Sequence, residues 1–187
     1  MASTFKTTYL KKIRPQLKDE LKFSSIEAVP KIEKITINTS SSDFKSDKDF
    51  LAKTKEWLTV ITGQKPQETK ARLSVAGFNI REGEVIGLKS TIHGDKMYDF
   101  CQKLISLVLP RLKDFQGVSR KHFDNQGNYT LGFSEQIIFP EIEYDKIGRI
   151  QGLEVTITTS TPDPKHAFAL LQALGMPFAK EEEIKTK

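Results

Sequence analysis

The sequence predicts an α+β fold: a single, mainly antiparallel sheet with helices packed on one face and a polar surface on the other. Three observations carry this. Segments 31–39, 85–93 and 151–160 alternate apolar and polar residues at the two-residue period of half-buried strands. Segments 48–61 and 95–109, and the stretch after Asp163, repeat apolar residues at helical spacing with start and stop residues in place. The chain has 187 residues, enough for one core without disulfides or metal. The expected organisation is one domain over 1–180, with a basic N-terminal helix over 3–22, and a charged flexible tail over 181–187.

Each element has its own signature. Residues 1–17 hold no acid, and Lys6, Lys11, Lys12 and Arg14 alternate with apolar residues. This predicts an amphipathic helix with apolar residues at 10, 13, 17 and 21, which Pro15 would start or kink. A transit peptide shares that composition. The helix is preferred because the pattern runs into the next element without a cleavage-like break. There is no apolar stretch of the secretory kind. In 31–39, Ile35 and Ile37 share one face, and Lys34, Thr36 and Asn38 the other. Asp47 caps the helix that buries Phe50, Leu51, Trp57, Leu58 and Ile61, and Gly63 then Pro66 end it. Residues 67–84 read as a short extended piece and a long loop. In 85–93, Ile86, Leu88 and Ile92 oppose Gly87, Lys89, Thr91 and His93. Asp95 is the predicted cap of the next helix and Pro110 its stop. After the loop 111–128, short strands are expected at 129–133 and 136–139. In 151–160, Leu153, Val155 and Ile157 oppose Glu154, Thr156 and Thr158. Asp163 caps the last helix with Pro164 at its first position.

Composition narrows the function. Twenty-nine bases against 24 acids give a net charge of +5 and a pI near 9.2. One cysteine excludes a disulfide scaffold and a cysteine-based zinc site. No apolar run approaches the roughly 20 residues of a membrane helix, so no membrane partner is expected. Between Lys103 and Lys121, five bases face one acid; between Glu135 and Glu154, five acids face two bases. One region suits a polyanion and the other a basic protein; both also read as plain solvated surface. The polar strand faces, with Lys34, Thr36, Asn38, Lys89, Thr91 and His93, suit RNA sugar and phosphate. A merely solvated sheet face has the same pattern.

No catalytic, cofactor or metal site is expected. Gly63-Gln64-Lys65-Pro66 lacks the second glycine and the Ser or Thr of a phosphate loop. Glu141, Glu143 and Asp145 alternate, but no histidine lies near them in sequence. His93, His122 and His166 share no ligand spacing, and Cys101 sits on an apolar helical stripe. A phosphate-handling enzyme would have to use Lys65, Lys70 and the 141–145 carboxylates.

Eight stretches in order carry a resemblance. They are Val29–Ile35, Leu58–Pro66, Ala76–Gly83, Met97–Phe100, Leu109–Phe115, Gly127–Gly132, Phe139–Lys146 and Leu174–Phe178. Together they make the chain resemble the universal 5S-rRNA-binding protein family of the large ribosomal subunit, ribosomal protein L-five, in its bacterial or organellar form. The resemblance runs from about Tyr9 to Lys180. It implies a structural, non-catalytic component of the central protuberance, partnered by 5S rRNA, large-subunit rRNA and neighbouring large-subunit proteins. It implies 5S contacts at Asn38, Gln64, Phe78 and Thr91, and the polar-face reading adds Lys34, Lys65 and Lys89. It implies that the 72–81 loop, with Arg72, Ser74, Phe78, Asn79 and Arg81, reaches peptidyl-site tRNA. The region after the second long loop would help bridge to protein thirteen of the small-subunit head.

The chain departs from the family pattern in the loops. Leu73 and Asn79 stand where lysines are usual, Gln116 where arginine is, and Asn125-Gln126 where a Gly-Arg pair is. Thr39 to Ser42 replace glycines after Asn38. Each change removes a phosphate-pairing charge or a flexible turn. This drift favours a plastid ribosome over a bacterial cytoplasmic or mitochondrial one. A free-standing RNA-binding regulator of the same fold is the alternative.

Overall fold

The computed structural model describes residues 4–113, 115–143, 147 and 149–179. The predicted tail, Asp145 and Lys146 lie outside them. Five strands hydrogen-bond in the order β2-β3-β1-β5-β4: β1 Ile32–Ser40, β2 Gln67–Lys70, β3 Val85–Ile92, β4 Tyr129–Phe133 and β5 Leu153–Thr159. Their directions follow from which ends meet. Ser41 N–H bonds Ile86 C=O, while the His93 ring lies 3.2 Å from Glu33 C=O, so β1 and β3 run antiparallel. Ser160 N–H bonds Lys31 C=O and the Thr39 hydroxyl donates to Gly152 C=O, which does the same for β1 and β5. β2 and β3 pair antiparallel directly, Gln67 opposite Lys89 and Thr69 opposite Gly87.

The chain divides into two compact units. The first comprises Met1–Ile35, His93–Thr130 and Thr156–Lys187. Here α1 (Thr4–Thr8) and α2 (Arg14–Glu20) join through a π turn over Tyr9–Ile13. That turn shifts the apolar stripe by one residue. Tyr9, not the predicted Leu10, goes inward: Tyr9 is 3% exposed and Leu10 45%. The Tyr9 hydroxyl donates to Pro30 C=O at 2.7 Å, and its ring stacks on Tyr98. The fourth helix, α4 (Gly94–Lys103), continues through a π turn and a 3₁₀ turn to Arg111, so Pro110 sits inside its last turn. Asp95 is not its cap. His93 holds that position, and the Asp95 carboxylate pairs with Lys6 at 2.7 Å. α5 (Pro164–Ala173) starts as predicted, with the Asp163 carboxylate accepting from Lys165 N–H at 2.8 Å.

The second unit comprises Thr36–Ile92 and Leu131–Val155. α3 (Lys48–Thr62) is capped by Asp47, whose carboxylate accepts from Phe50 N–H at 2.9 Å. It ends on Gly63 at φ 63°, a left-handed position that glycine takes without Cβ strain. α3 packs on β3. Ile37, Phe44, Leu58, Leu88, Phe139 and Val155 form the core here. The strand predicted at 136–139 is a 3₁₀ turn over Gln136–Ile138. The reason is the buried Gln136 side chain. Its amide donates to Arg149 C=O at 2.7 Å and accepts from Gln151 N–H at 2.5 Å, replacing ladder bonds with side-chain ones.

Candidate nucleic-acid interface

The polar side of the strands combines short side chains with exposed lysines. On β1, Ile35 and Ile37 are fully buried while Lys34 is exposed and Thr36 and Asn38 half-buried. On β3, Leu88 and Ile92 are buried, Lys89 is exposed and Thr91 half-buried. Gly87 shares that polar side, where a Cβ would come within 2.6 Å of the Thr69 hydroxyl. The strand pairing puts Gln67 beside Lys89 on the same side. β-Branched threonines hold few rotamers, so their hydroxyls are presented with little entropy to lose on binding.

The turn after α3 brings two predicted residues together. The Thr62 hydroxyl donates to Leu58 C=O at 2.7 Å and lies 2.9 Å from Gln64 C=O, fixing the turn. The Gln64 amide then donates to Thr91 C=O at 2.9 Å. This leaves the Gln64 amide oxygen and one N–H, together with the Thr91 hydroxyl, for a ligand. Lys65 follows, exposed. On the opposite side of β2, Glu68 is held by Lys55 of α3. That hydrogen bond, against a smaller desolvation effect, holds its carboxyl below the usual range. Lys70 and Lys65 attract the same carboxylate more weakly, so Glu68 also offsets part of the Lys65 charge.

The loop between β2 and β3 is more ordered than a plain loop. Ala71 N–H bonds Glu84 C=O at 2.8 Å, and Gly83 N–H bonds Ala71 C=O at 3.0 Å. Further out, Val75 and Ile80 exchange both backbone bonds around the four-residue tip 76–79. The Ser74 hydroxyl accepts from Glu82 N–H, and the Glu84 carboxylate from Arg81 N–H, each at 2.9 Å. Phe78 is 72% and Leu73 74% exposed. Arg72 and Arg81 are exposed, and neither guanidinium has a carboxylate partner among the described residues. Asn79 sits at φ 51°, ψ 36°, a left-handed conformation asparagine tolerates better than lysine. The Lys45 ammonium donates to the Asn79 carbonyl, so a cation from outside the loop stands at its tip. Sequence reasoning missed Lys45, because nothing in the chain's order marks residue 45 as a neighbour of 79.

The remaining groups stand elsewhere. Burial pushes the Cys101 thiol up to about 12, as suits an inert core position. Among the described residues no three metal-ligating side chains come together. Asn125 and Gln126 lie in a turn closed by Asp124. Desolvation raises the pKa of Asp124, but hydrogen bonds from Asn128 and Gln126 outweigh it and hold the carboxyl below its usual range.

Two family models cover nearly all of the described chain. Residues 25–81 match ribosomal protein L5, and residues 85–178 match the C-terminus of the same ribosomal family. Proteins named large ribosomal subunit protein uL5 from Streptococcus sanguinis, Limosilactobacillus reuteri and Limosilactobacillus fermentum are each 48% identical over 180 residues. Those residues are 96% of this chain and all of each relative. The chain belongs to the ribosomal protein L5 family. That family consists of structural ribosomal proteins, so the chain is a structural protein and not an enzyme. The boundary between the two family models falls at residues 82–84, in the return limb of the loop between β2 and β3.

Proposed function

We propose that this L5 protein binds 5S rRNA in the central protuberance of the large ribosomal subunit, through the polar side of β1 and β3 and the turn after α3. The observation that carries the reading is the Gln64–Thr91 bond, which joins a turn residue and a strand residue into one hydrogen-bonding surface. Asn38, Gln64 and Thr91 supply donors and acceptors for ribose and base edges, and Phe78 supplies a stacking surface. Lys34, Lys65 and Lys89 supply phosphate contacts that position without reading sequence.

The loop is assigned to peptidyl-site tRNA. Arg72 and Arg81 pair with phosphate, and Ser74, Phe78 and Asn79 fill the surface between them. The segment after the second long loop contributes to the bridge with small-subunit head protein thirteen. Large-subunit rRNA and neighbouring central-protuberance proteins complete the partners. Its place is a ribosome. The bacterial relatives favour a bacterial cytoplasmic one; a plastid origin rests only on the lost loop lysines.

The test is the double variant Arg72→Ala with Arg81→Ala. The expected outcome is 5S affinity within about twofold of wild type by filter binding, since surface changes away from a contact shift energies by under about 0.5 kcal/mol. tRNA should dissociate faster from the peptidyl site of assembled ribosomes. Loss of 5S rRNA with normal tRNA retention would reverse the assignment of the loop.

A further inference from the structure

The second unit contains a shallow polar depression of about 470 Å³. Asn38, Ser40, Gly132, Gly152 and Glu154 are among its lining residues. Two glycines, Gly132 and Gly152, contribute only backbone to it. A Cβ on Gly132 would meet nothing within 4 Å, whereas one on Gly152 would come 3.0 Å from Phe133 C=O. The first glycine leaves open space and the second permits close strand approach. Glu154 is exposed, and its carboxylate has no hydrogen bond or ion pair among the described residues. Asn38 is half-buried, and its amide likewise has no partner among them.

An uncompensated carboxylate on a surface that receives RNA repels phosphate. Such a group is favourable only where it meets hydrogen-bond donors. Among the four bases, guanine alone presents two adjacent donors on its Watson–Crick edge, N1–H and the N2 amino group, beside an acceptor, O6. Adenine and cytosine each place an acceptor next to their amino group. Uracil flanks its one N–H with two carbonyls. A carboxylate paired with an amide matches the guanine edge and mismatches the other three.

We propose that this depression holds the Watson–Crick edge of one unpaired guanine of the bound RNA, with Glu154 accepting from N1–H and N2–H and Asn38 donating to O6. Glu154 is then a base-reading residue beside Asn38, on a surface whose lysines make only sequence-neutral phosphate contacts. The inference rests on the RNA-binding reading given above.

The experiment uses the full chain, a 5S rRNA transcript and kethoxal, which modifies unpaired guanines at N1 and N2. Wild-type protein should protect a set of guanines. Glu154→Ala should expose one of them and leave the rest protected, with affinity weaker by about tenfold to a hundredfold, as losing a bidentate base contact implies. Glu154→Gln, which keeps the shape and loses the second acceptor, should expose the same guanine; circular dichroism confirms that both variants fold. An unchanged protection pattern in both variants overturns the inference and returns Glu154 to a protein partner such as an arginine side chain. Tighter binding by Glu154→Ala also overturns it, since the acid would then only repel phosphate. If wild-type protein binds no 5S rRNA, the proposed function fails first and this inference with it.

Discussion

On β1 and β3 the groups on the polar side are threonines, an asparagine and lysines, fixed by a strand ladder above a core in which Ile37, Leu58 and Leu88 are fully buried. The loop between β2 and β3 instead exposes Leu73, Val75 and Phe78 between Arg72 and Arg81, on a hairpin closed by its own backbone bonds. The strands present polar atoms in positions that packing dictates. The loop presents apolar side chains and two arginines in positions that packing does not dictate. The first arrangement suits reading of ribose and base edges by preset donors; the second suits a contact that tolerates movement of its target.

The contrast breaks if the two regions respond alike to truncation. Leu58→Ala should cost about 2–5 kcal/mol by leaving a cavity under the sheet, while Leu73→Ala should change stability by under about 0.5 kcal/mol. Urea denaturation measures both, and a large loss at Leu73 would mean that the loop packs in solution. Glycines sharpen the same point. Gly87→Ala would drive a methyl into the Thr69 hydroxyl at 2.6 Å and the Thr39 carbonyl at 3.1 Å. It should cost about 1–3 kcal/mol by overpacking. Gly77→Ala meets nothing within 4 Å at the loop tip and should be close to neutral in thermal melts. Binding gives the third comparison. Asn38→Ala or Gln64→Ala should each weaken 5S binding by about 1–3 kcal/mol, because RNA polar groups lose their partners. Affinity unchanged in both would place the 5S contact elsewhere.

Sequence reasoning and structure agree where a single local signal decides. Asp47, Gly63, Asp163 and Pro164 hold the cap and stop positions their residue types predict. The period-two faces of β1, β3 and β5 also follow the sequence. The misses arise where a distant group wins. Lys6 takes Asp95 away from its helix start. A π turn before Pro15 rotates Tyr9 inward in place of Leu10. Gln136 satisfies backbone across fifteen residues and removes the need for a strand. Of the candidate site, the polar strand faces were legible because alternation is local. The Lys45–Asn79 tie and the depression beside Glu154 were not, because they depend on which chain segments the fold brings side by side.

If the polar strand face binds 5S rRNA with help from its lysines, binding must release counterions. Filter binding of the full chain to a 5S rRNA transcript across a salt series tests it most directly. The expected result is a one-to-one complex whose log affinity falls with log salt at a slope of roughly −3 to −6, from counterions released by several phosphate contacts. No complex, or an affinity independent of salt, would contradict it.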